Sequence, residues 1–313
     1  MSLIEQAAKR LEQLRQAGVE LPEESVLAAK IVAPCPVEPP IASAVTPAVP
    51  VAQPSEAKIK PTSPCSPEVK LDLEAISASG LLVPNATRSQ LADEFRVIKR
   101  PLIANAMGRG AAPIPNGNLV MVTSALPGEG KSFSAINLAI SIAMELDNTV
   151  MLVDADVARP SILNMLGLPP SKGLLDVLQD NSVDISGVLL RTNIEKLSIL
   201  PSGTAHPRAT ELLASDAMIR LLDDMANRYS DRIIVFDSPP LLLTTESRVL
   251  ATHMGQVVIV VNAENTVQSA VKQAISTIQA CPVKLMLLNQ VRAAKTDGYG
   301  YGYGYGYGYG HEK

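Results

Sequence analysis

A glycine-rich segment at residues 125–132 combines residue types that can bind a polyphosphate. It reads Ala-Leu-Pro-Gly-Glu-Gly-Lys-Ser and matches the P-loop pattern, apart from an alanine where the commonest form has its first glycine. Gly128 and Gly130 let backbone N–H groups turn toward phosphates at a helix N-terminus. Lys131 can reach the β- and γ-phosphates, and Ser132 can place its hydroxyl on Mg²⁺. The residues expected to bind nucleotide here are Ala125, Leu126, Pro127, Gly128, Glu129, Gly130, Lys131, Ser132 and Phe133.

Three aspartates stand where apolar runs end. Asp154 and Asp156 follow the run TVMLV, and Asp237 follows the run RIIVF. A carboxylate at the tip of a strand beside a P-loop is where a Mg²⁺ ligand belongs. Each aspartate alone would more often be a turn or capping residue. Their joint occurrence in one P-loop domain predicts a nucleotide site that holds Mg²⁺.

The elements that must position these residues alternate between aliphatic runs and helical stretches. Continuous aliphatic runs are typical of strands buried on both faces of a parallel sheet. The pattern predicts an α/β fold, a doubly wound and mostly parallel sheet that binds ligands at the carboxyl ends of its strands. The predicted strands are 119–124, 149–154, 197–200, 232–237, 257–261 and 285–290. The predicted helices are one that starts near residue 90 and others at about 131–146, 209–229 and 267–280.

Composition argues against several classes of protein. The 313 residues carry a net charge of −4, so the chain lacks the excess of basic residues that is typical of nucleic-acid-binding proteins. Nucleic acid is therefore not an expected partner. The three cysteines have neither metal-site spacing nor a disulfide pattern, which fits a reducing compartment. No apolar run reaches the roughly 18 residues that span a bilayer. A soluble, cytoplasmic protein is expected.

The chain before the predicted fold divides into two parts. Residues 1–31 begin with an amphipathic helical pattern, which is either a short solvated helix or a docking helix for a partner. Residues 32–69 are rich in proline and predict an extended linker. The P-loop domain is expected at 70–291, followed by a tail at 292–313.

The motifs together resemble the bacterial tyrosine kinases (BY-kinases), and within them the autokinases associated with exopolysaccharide and exosortase gene clusters. The resemblance covers about residues 85–313, and the first residues also look like the start of the exosortase-associated subgroup. The segments that carry it are SALPGEGKS, similar to the family's Walker A box, MLVDADVARP to its Walker A′ box, IIVFDSPP to its Walker B box, and LPSGTAHPRATELLAS between the last two.

The resemblance implies a role for each site residue. Lys131 would stabilise the transferring phosphoryl group, and Ser132, Asp154 and Asp237 would hold Mg²⁺. Asp156 would accept the proton of the attacking tyrosine, whose ordinary pKa is about 10. Asn289, at the end of the last predicted strand, would lie near the adenine of ATP.

Two motifs depart from the family pattern. The Walker A′ arginine position holds an alanine, and Arg159 follows it, so the catalytic guanidinium would come from one residue later. The ring-assembly motif Glu-x-x-Arg-x-x-Arg is replaced by Asp93, Arg96 and Lys99, which keeps the charges but loses the second guanidinium fork. Self-assembly into a ring-like homo-oligomer of uncertain number is still expected.

The end of the chain alternates strictly between glycine and tyrosine. Such a segment cannot bury a core, and an extended chain of period two places every tyrosine on one face. Its r.m.s. reach of roughly 20 Å suits insertion into a neighbouring subunit's site. The alternative is a low-complexity adhesive tail without chemistry. The predicted phosphoacceptors are Tyr299, Tyr301, Tyr303, Tyr305, Tyr307 and Tyr309.

The predicted function is therefore ATP-dependent phosphorylation of the chain's own tail, which regulates exopolysaccharide polymerisation and export. The resemblance implies a separate inner-membrane chain-length-determinant protein as activator, a counteracting tyrosine phosphatase, and recruitment to the cytoplasmic face of that membrane. Two alternatives stay open: an ATPase switch of the ParA/MinD type and a nucleotide-gated scaffold. Tyrosine phosphate in the tail would distinguish the kinase from both.

Overall fold

The computed structural model describes residues 66–84, 89–180, 182–228 and 231–292. The predicted helix within 1–31, the linker up to residue 65 and the six tail tyrosines lie outside these residues. Residues 68 and 69, which composition assigns to the linker, form a short strand of the sheet. None of the described helices is both long and apolar enough to cross a membrane.

One sheet of eight strands forms the centre of the domain. Its order is β1-β4-β5-β3-β6-β2-β7-β8, and every neighbouring pair is parallel except β4 and β5. The predicted doubly wound, mostly parallel sheet is confirmed. The strands are β1 (Glu68–Val69), β2 (Leu119–Ser124), β3 (Thr149–Asp154), β4 (Leu190–Thr192), β5 (Leu197–Leu200), β6 (Arg232–Asp237), β7 (Gln256–Asn262) and β8 (Val283–Asn289).

Helices cover both faces of the sheet. Along β2, Leu119 and Met121 enter one core with the helices from Leu174 onward, while Val120 and Val122 enter the other with the helices up to Met165. This alternation explains why the strands read as continuous aliphatic runs. The helices are α1 (Leu73–Ala78), α2 (Gln90–Ala106), α3 (Lys131–Ala143), α4 (Ile162–Met165), α5 (Leu174–Gln179), α6 (Ile185–Val188), α7 (Ala209–Leu213), α8 (Asp216–Arg228), α9 (Glu246–Ala251) and α10 (Gln268–Thr277).

The helix predicted at 209–229 is wrong as a single element, because the chain breaks between α7 and α8. Ser215 is the reason for the break. Its hydroxyl donates to the carbonyl of Leu212 and accepts from the N–H of Met218. A serine that satisfies backbone groups in this way ends one helix and caps the next.

Helix α2 is fixed to the sheet by a buried glutamine. Gln256 is fully buried at the start of β7, and its Nε2 donates to the carbonyls of Leu102 (3.0 Å) and Gly117 (2.6 Å). Its Oε1 accepts from Asn105 Nδ2 at 2.9 Å. The side chain therefore joins α2, the loop before β2 and β7.

Replacing Gln256 with leucine is expected to lower the free energy of unfolding by about 2 kcal/mol, because it removes three hydrogen bonds from a buried position. Urea unfolding of the full chain measures this. The matched control is Gln273→Leu on the exposed side of α10, which should change stability by less than about 0.5 kcal/mol. Equal effects of the two substitutions would contradict the anchoring role.

Candidate active site

The P-loop connects β2 to α3, so the first turn of α3 begins at the phosphate site. Gly128 and Gly130 have φ angles of 80° and 91°, a region in which glycine is favoured. A Cβ at Gly130 would come within 2.1 Å of Asn289 Nδ2. Both glycines predicted to shape the loop are therefore required by its backbone.

The glutamate of the P-loop, Glu129, joins the start of the loop to the segment after β7. Glu129 is buried, and its Oε2 accepts from the N–H of Leu126 at 2.7 Å. Its Oε1 accepts from the Thr266 hydroxyl in the loop after β7. Ser124 Oγ donates to the Leu126 carbonyl at 2.7 Å, which holds the start of the loop. Pro127 and Gly128 remain exposed at its tip.

Sheet register brings the predicted carboxylates to one edge. The strands β3, β6 and β2 are adjacent, and Asp154 on β3 stands opposite Asp237 on β6. Lys131 points to this edge from the start of α3. Its Nζ lies 2.7 Å from Asp156 Oδ2 and 3.9 Å from Asp237 Oδ1. The structure therefore joins Lys131 and the three aspartates in one cluster.

Asp154 is held on one side only. Its Oδ2 accepts from the N–H groups of Ser161 and Ile162, both at 3.1 Å, whereas its Oδ1 has no hydrogen-bond partner among the described residues. Burial raises the pKa of Asp154 to about 7, and repulsion from Asp237 adds to this shift.

Asp237 is fully buried, and neither of its carboxylate oxygens has a hydrogen-bond partner of ordinary geometry within the described part of the chain. Burial raises the pKa of Asp237 to about 6, although the Lys131 ammonium opposes the shift. Unpartnered buried carboxylate oxygens beside a hydroxyl are donors suited to a hard cation. The residues predicted to hold Mg²⁺, which are Ser132, Asp154 and Asp237, fit that ion.

Ser161 belongs to the same cluster, although its sequence position gave no reason to include it. Its hydroxyl donates to Ser132 Oγ at 2.9 Å, and its backbone N–H contacts Asp154. Among the described residues, no group of three His, Cys, Asp or Glu side chains gathers at a metal site.

The remaining predicted residues lie in different surroundings. Arg159 is exposed, and its backbone N–H donates to Asp156 Oδ1 at 3.1 Å. Phe133 packs against the core on the side of α2 and α3. Asn289 Nδ2 donates to the carbonyl of Glu129 at 3.0 Å, which is a contact with the P-loop that the sequence did not predict. Its predicted position near adenine stays a prediction.

The three residues predicted to assemble subunits do not share one environment. Asp93 and Arg96 form an exposed ion pair on α2. Lys99 is buried, donates to the Ser141 carbonyl at 2.5 Å and pairs with Glu145 Oε1 at 2.6 Å. We therefore expect Lys99 to fasten α2 to the end of α3, and only the other two to face a neighbour.

Replacing Asp237 with asparagine is expected to raise the thermal unfolding midpoint of the nucleotide-free chain, increasingly so from about pH 4 to about pH 7, above which the gain levels off. The pKa of Asp237 is about 6 in the folded chain against 3.8 ordinarily, so the folded state loses stability as pH rises through this interval. Asparagine has no proton to lose. A gain of about 4 °C near pH 8 is expected.

Thermal scans at several pH values test this prediction beside the exposed control Asp223→Asn on α8. If the rise in unfolding midpoint caused by Asp237→Asn does not vary with pH, burial of the ionised Asp237 carboxylate does not destabilise the folded chain.

Comparison with known proteins places these features in context. The family described as "AAA domain" matches residues 118–290. The chain is 33% identical over 182 residues to the tyrosine-protein kinase YwqD of Bacillus subtilis, with 58% of this chain and 75% of that protein covered. It is 32% identical over 183 residues to the succinoglycan biosynthesis transport protein ExoP of Rhizobium meliloti, with 58% of this chain covered but only 22% of ExoP.

A solved structure, that of the chimerical protein CapA2B2, is also similar. It superposes with a TM-score of 0.56 at 28% identity, and the match covers 71% of this chain and 93% of the chimera. The P-loop, the three carboxylate positions and all the described strands except β1 lie within the matched residues 118–290.

Proposed function

Because the chain belongs to the bacterial tyrosine-kinase family and is a P-loop tyrosine-protein kinase, we propose that its phosphoacceptors are the six tyrosines of its own tail. The resemblance read from the motifs is thereby confirmed at the level of the family. The observation that supports the proposal most is the cluster of Lys131, Asp156, Asp154 and Asp237 beside the P-loop.

The contacts of Asp156 fit the role of proton acceptor. Its Oδ1 accepts from the backbone N–H of Arg159, which orients the carboxylate, and its Oδ2 is paired with the Lys131 ammonium. When Lys131 turns to the phosphates of ATP, Oδ2 loses this partner and can take the tyrosine proton.

The proposed reaction is a single in-line displacement. The tyrosine Oη forms a bond to the γ-phosphorus, and the bond from that phosphorus to the β–γ bridging oxygen breaks, with its electron pair leaving on ADP. The tyrosine proton passes to Asp156. Lys131 and the exposed guanidinium of Arg159 balance the charge on the transferring group.

Mg²⁺, when bound with ATP, would neutralise charge on the β- and γ-phosphates. Ser132, Asp154 and Asp237 would hold it, partly through water. Asp154 and Asp237 would contribute buried carboxylate oxygens that the described residues leave without hydrogen bonds, and Ser132 would contribute its hydroxyl.

The finer part of the proposal concerns partners. Transfer occurs between neighbouring subunits of a homo-oligomer to which Asp93 and Arg96 contribute. A separate inner-membrane protein recruits and activates the kinase, and a phosphatase reverses its action. The name of ExoP, a succinoglycan biosynthesis transport protein, supports a role in exopolysaccharide polymerisation and export.

Phosphopeptide mass spectrometry of the full chain after incubation with Mg²⁺ and ATP tests the proposed acceptors. Phosphate on residues 299–309 that is absent when EDTA removes the Mg²⁺ would support autophosphorylation of the tail. An unmodified tail in a protein that still hydrolyses ATP, with the membrane partner present, would instead favour an ATPase switch.

A further inference from the structure

The last residue of β8 and the residue after it contact the P-loop backbone. Asn289 Nδ2 donates to the carbonyl of Glu129 at 3.0 Å, and Gln290 Nε2 donates to the carbonyl of Gly128 at 3.1 Å. These two side chains therefore bind consecutive peptide units of the P-loop from positions 160 and 162 residues further along the chain.

The orientation of these peptide units matters for phosphate binding. In a trans peptide the carbonyl of one residue and the N–H of the next point in opposite directions. Fixing the carbonyls of Gly128 and Glu129 toward β8 therefore turns the N–H groups of Glu129 and Gly130 away from β8. Inward-facing N–H groups at this part of a P-loop are the donors that bind the β- and γ-phosphates.

The two β8 residues are part of a larger frame, which we call the clasp and define as Asn262, Thr266, Asn289 and Gln290. Asn262 Nδ2 donates to Gln290 Oε1, and Asn262 Oδ1 accepts from the N–H of Glu264 at 3.0 Å. The Thr266 hydroxyl donates to the buried carboxylate of Glu129. The clasp thus holds both the backbone and the side chain of the P-loop residue Glu129.

The clasp is maintained at a conformational cost. Gln290 has a φ of 57°, in the left-handed region that a non-glycine residue seldom occupies. Its side chain is exposed, so burial of apolar surface does not account for this conformation. A strained backbone conformation persists where contacts with neighbouring residues stabilise it. Here those contacts are the hydrogen bonds of the Gln290 side chain with Gly128 and Asn262.

We propose that Asn289 and Gln290 are positioning residues for ATP, and that they couple occupancy of the P-loop to the segment that leads into the tail. This inference rests on the proposed nucleotide site and extends it. The described chain ends at Arg292, two residues after Gln290, and the tyrosines follow. If the clasp favours the nucleotide-binding form of the loop, bound nucleotide must in turn stabilise the clasp, because such coupling is reciprocal.

The test uses the full chain with Asn289→Ala and Gln290→Met, beside the matched controls Asn227→Ala on α8 and Gln273→Met on α10, both at exposed positions. The dissociation constant for Mg²⁺ and a fluorescent ATP analogue is expected to rise about fivefold in each clasp variant and less than about 1.5-fold in the controls. The KM for ATP should rise by the same factor while kcat changes less than about twofold, since the contact orients the loop equally in ground and transition states.

Thermal unfolding of the nucleotide-free variants separates positioning from folding. Midpoints within a few degrees of the wild type, together with weaker ATP binding, support the proposal. Unchanged affinity and KM in both clasp variants would overturn it, whatever the midpoint does. If the wild-type chain itself fails to bind the analogue, the proposed nucleotide site fails, which is a different outcome.

Hydrogen exchange tests the coupling to the tail. The ATP analogue should slow exchange of the amides at 289–292 about threefold or more in the wild-type chain, and the slowing should be lost in Asn289→Ala. Exchange at 289–292 that does not respond to nucleotide in the wild type would overturn the coupling.

Discussion

Replacing Lys131 with methionine is expected to lower the initial rate of tail phosphorylation by about 100-fold or more. The Lys131 ammonium is mostly buried and lies 2.7 Å from Asp156 and 3.9 Å from Asp237. Without Lys131, the charge that develops on the transferring phosphoryl group would face the buried carboxylates with only the Arg159 guanidinium and Mg²⁺ to balance it. The rate of phosphate incorporation from labelled ATP measures the effect.

Lys272→Met, on the exposed side of α10, is the matched control and should retain the wild-type rate within about twofold. Because Lys131 also balances buried aspartates, thermal unfolding must show that the Lys131→Met chain is folded. Lys131→Arg is a second variant that keeps the charge but changes the shape of the group, and it is expected to remain strongly impaired. Substantial phosphorylation by a folded Lys131→Met chain would remove Lys131 from the mechanism.

Much of the site could be predicted because parallel sheets place strand ends together. Asp154 and Asp237 are far apart in sequence, yet each ends a continuous aliphatic run, and such runs identify buried parallel strands without reference to the rest of the chain. The P-loop between a strand and a helix identifies the edge to which those ends belong. Strand pairing then brings the two carboxylates to the same level of the sheet.

The strands that the sequence did not reveal are the short ones. Strand β1 has two residues and β4 has three, which is too few for a periodic or continuous apolar pattern. Both lie at one side of the sheet, and β4 runs antiparallel to β5. Their pairing depends on contacts between distant parts of the chain, which no local window contains.

Side-chain direction was equally inaccessible. Lys99 lies three residues after Arg96 on one helix, and spacing alone predicts one shared face. The structure instead turns Lys99 inward to the carbonyl of Ser141, where its charge is balanced by Glu145. Asn289 likewise contacts the P-loop, because the order of the strands brings the end of β8 beside Gly130. Such contacts require the tertiary fold to be known.

The second large effect expected concerns which chain's tail is phosphorylated. A full chain with Lys131→Met keeps the six tyrosines but lacks activity, and a chain with all six replaced by phenylalanine keeps the catalytic cluster but lacks acceptors. Each alone should incorporate about 1% or less of the wild-type phosphate. Mixed, they should restore phosphate on the Lys131→Met chain to a tenth or more of the wild-type rate, in proportion to the concentration of the active chain.

The physical reason is the reach of the tail. A flexible chain with the composition of the tail is expected to have an r.m.s. span of roughly 20 Å, which we propose is enough to reach the site of an adjacent subunit. The control is a mixture of two inactive chains, Lys131→Met with its tyrosines and Lys131→Met without them. This mixture should remain unlabelled. Mass spectrometry distinguishes the two tails, because phenylalanine changes the peptide mass. Restored phosphate would show transfer between subunits. If the wild-type protein is active but the two variants do not complement each other, each tail is phosphorylated only by its own chain.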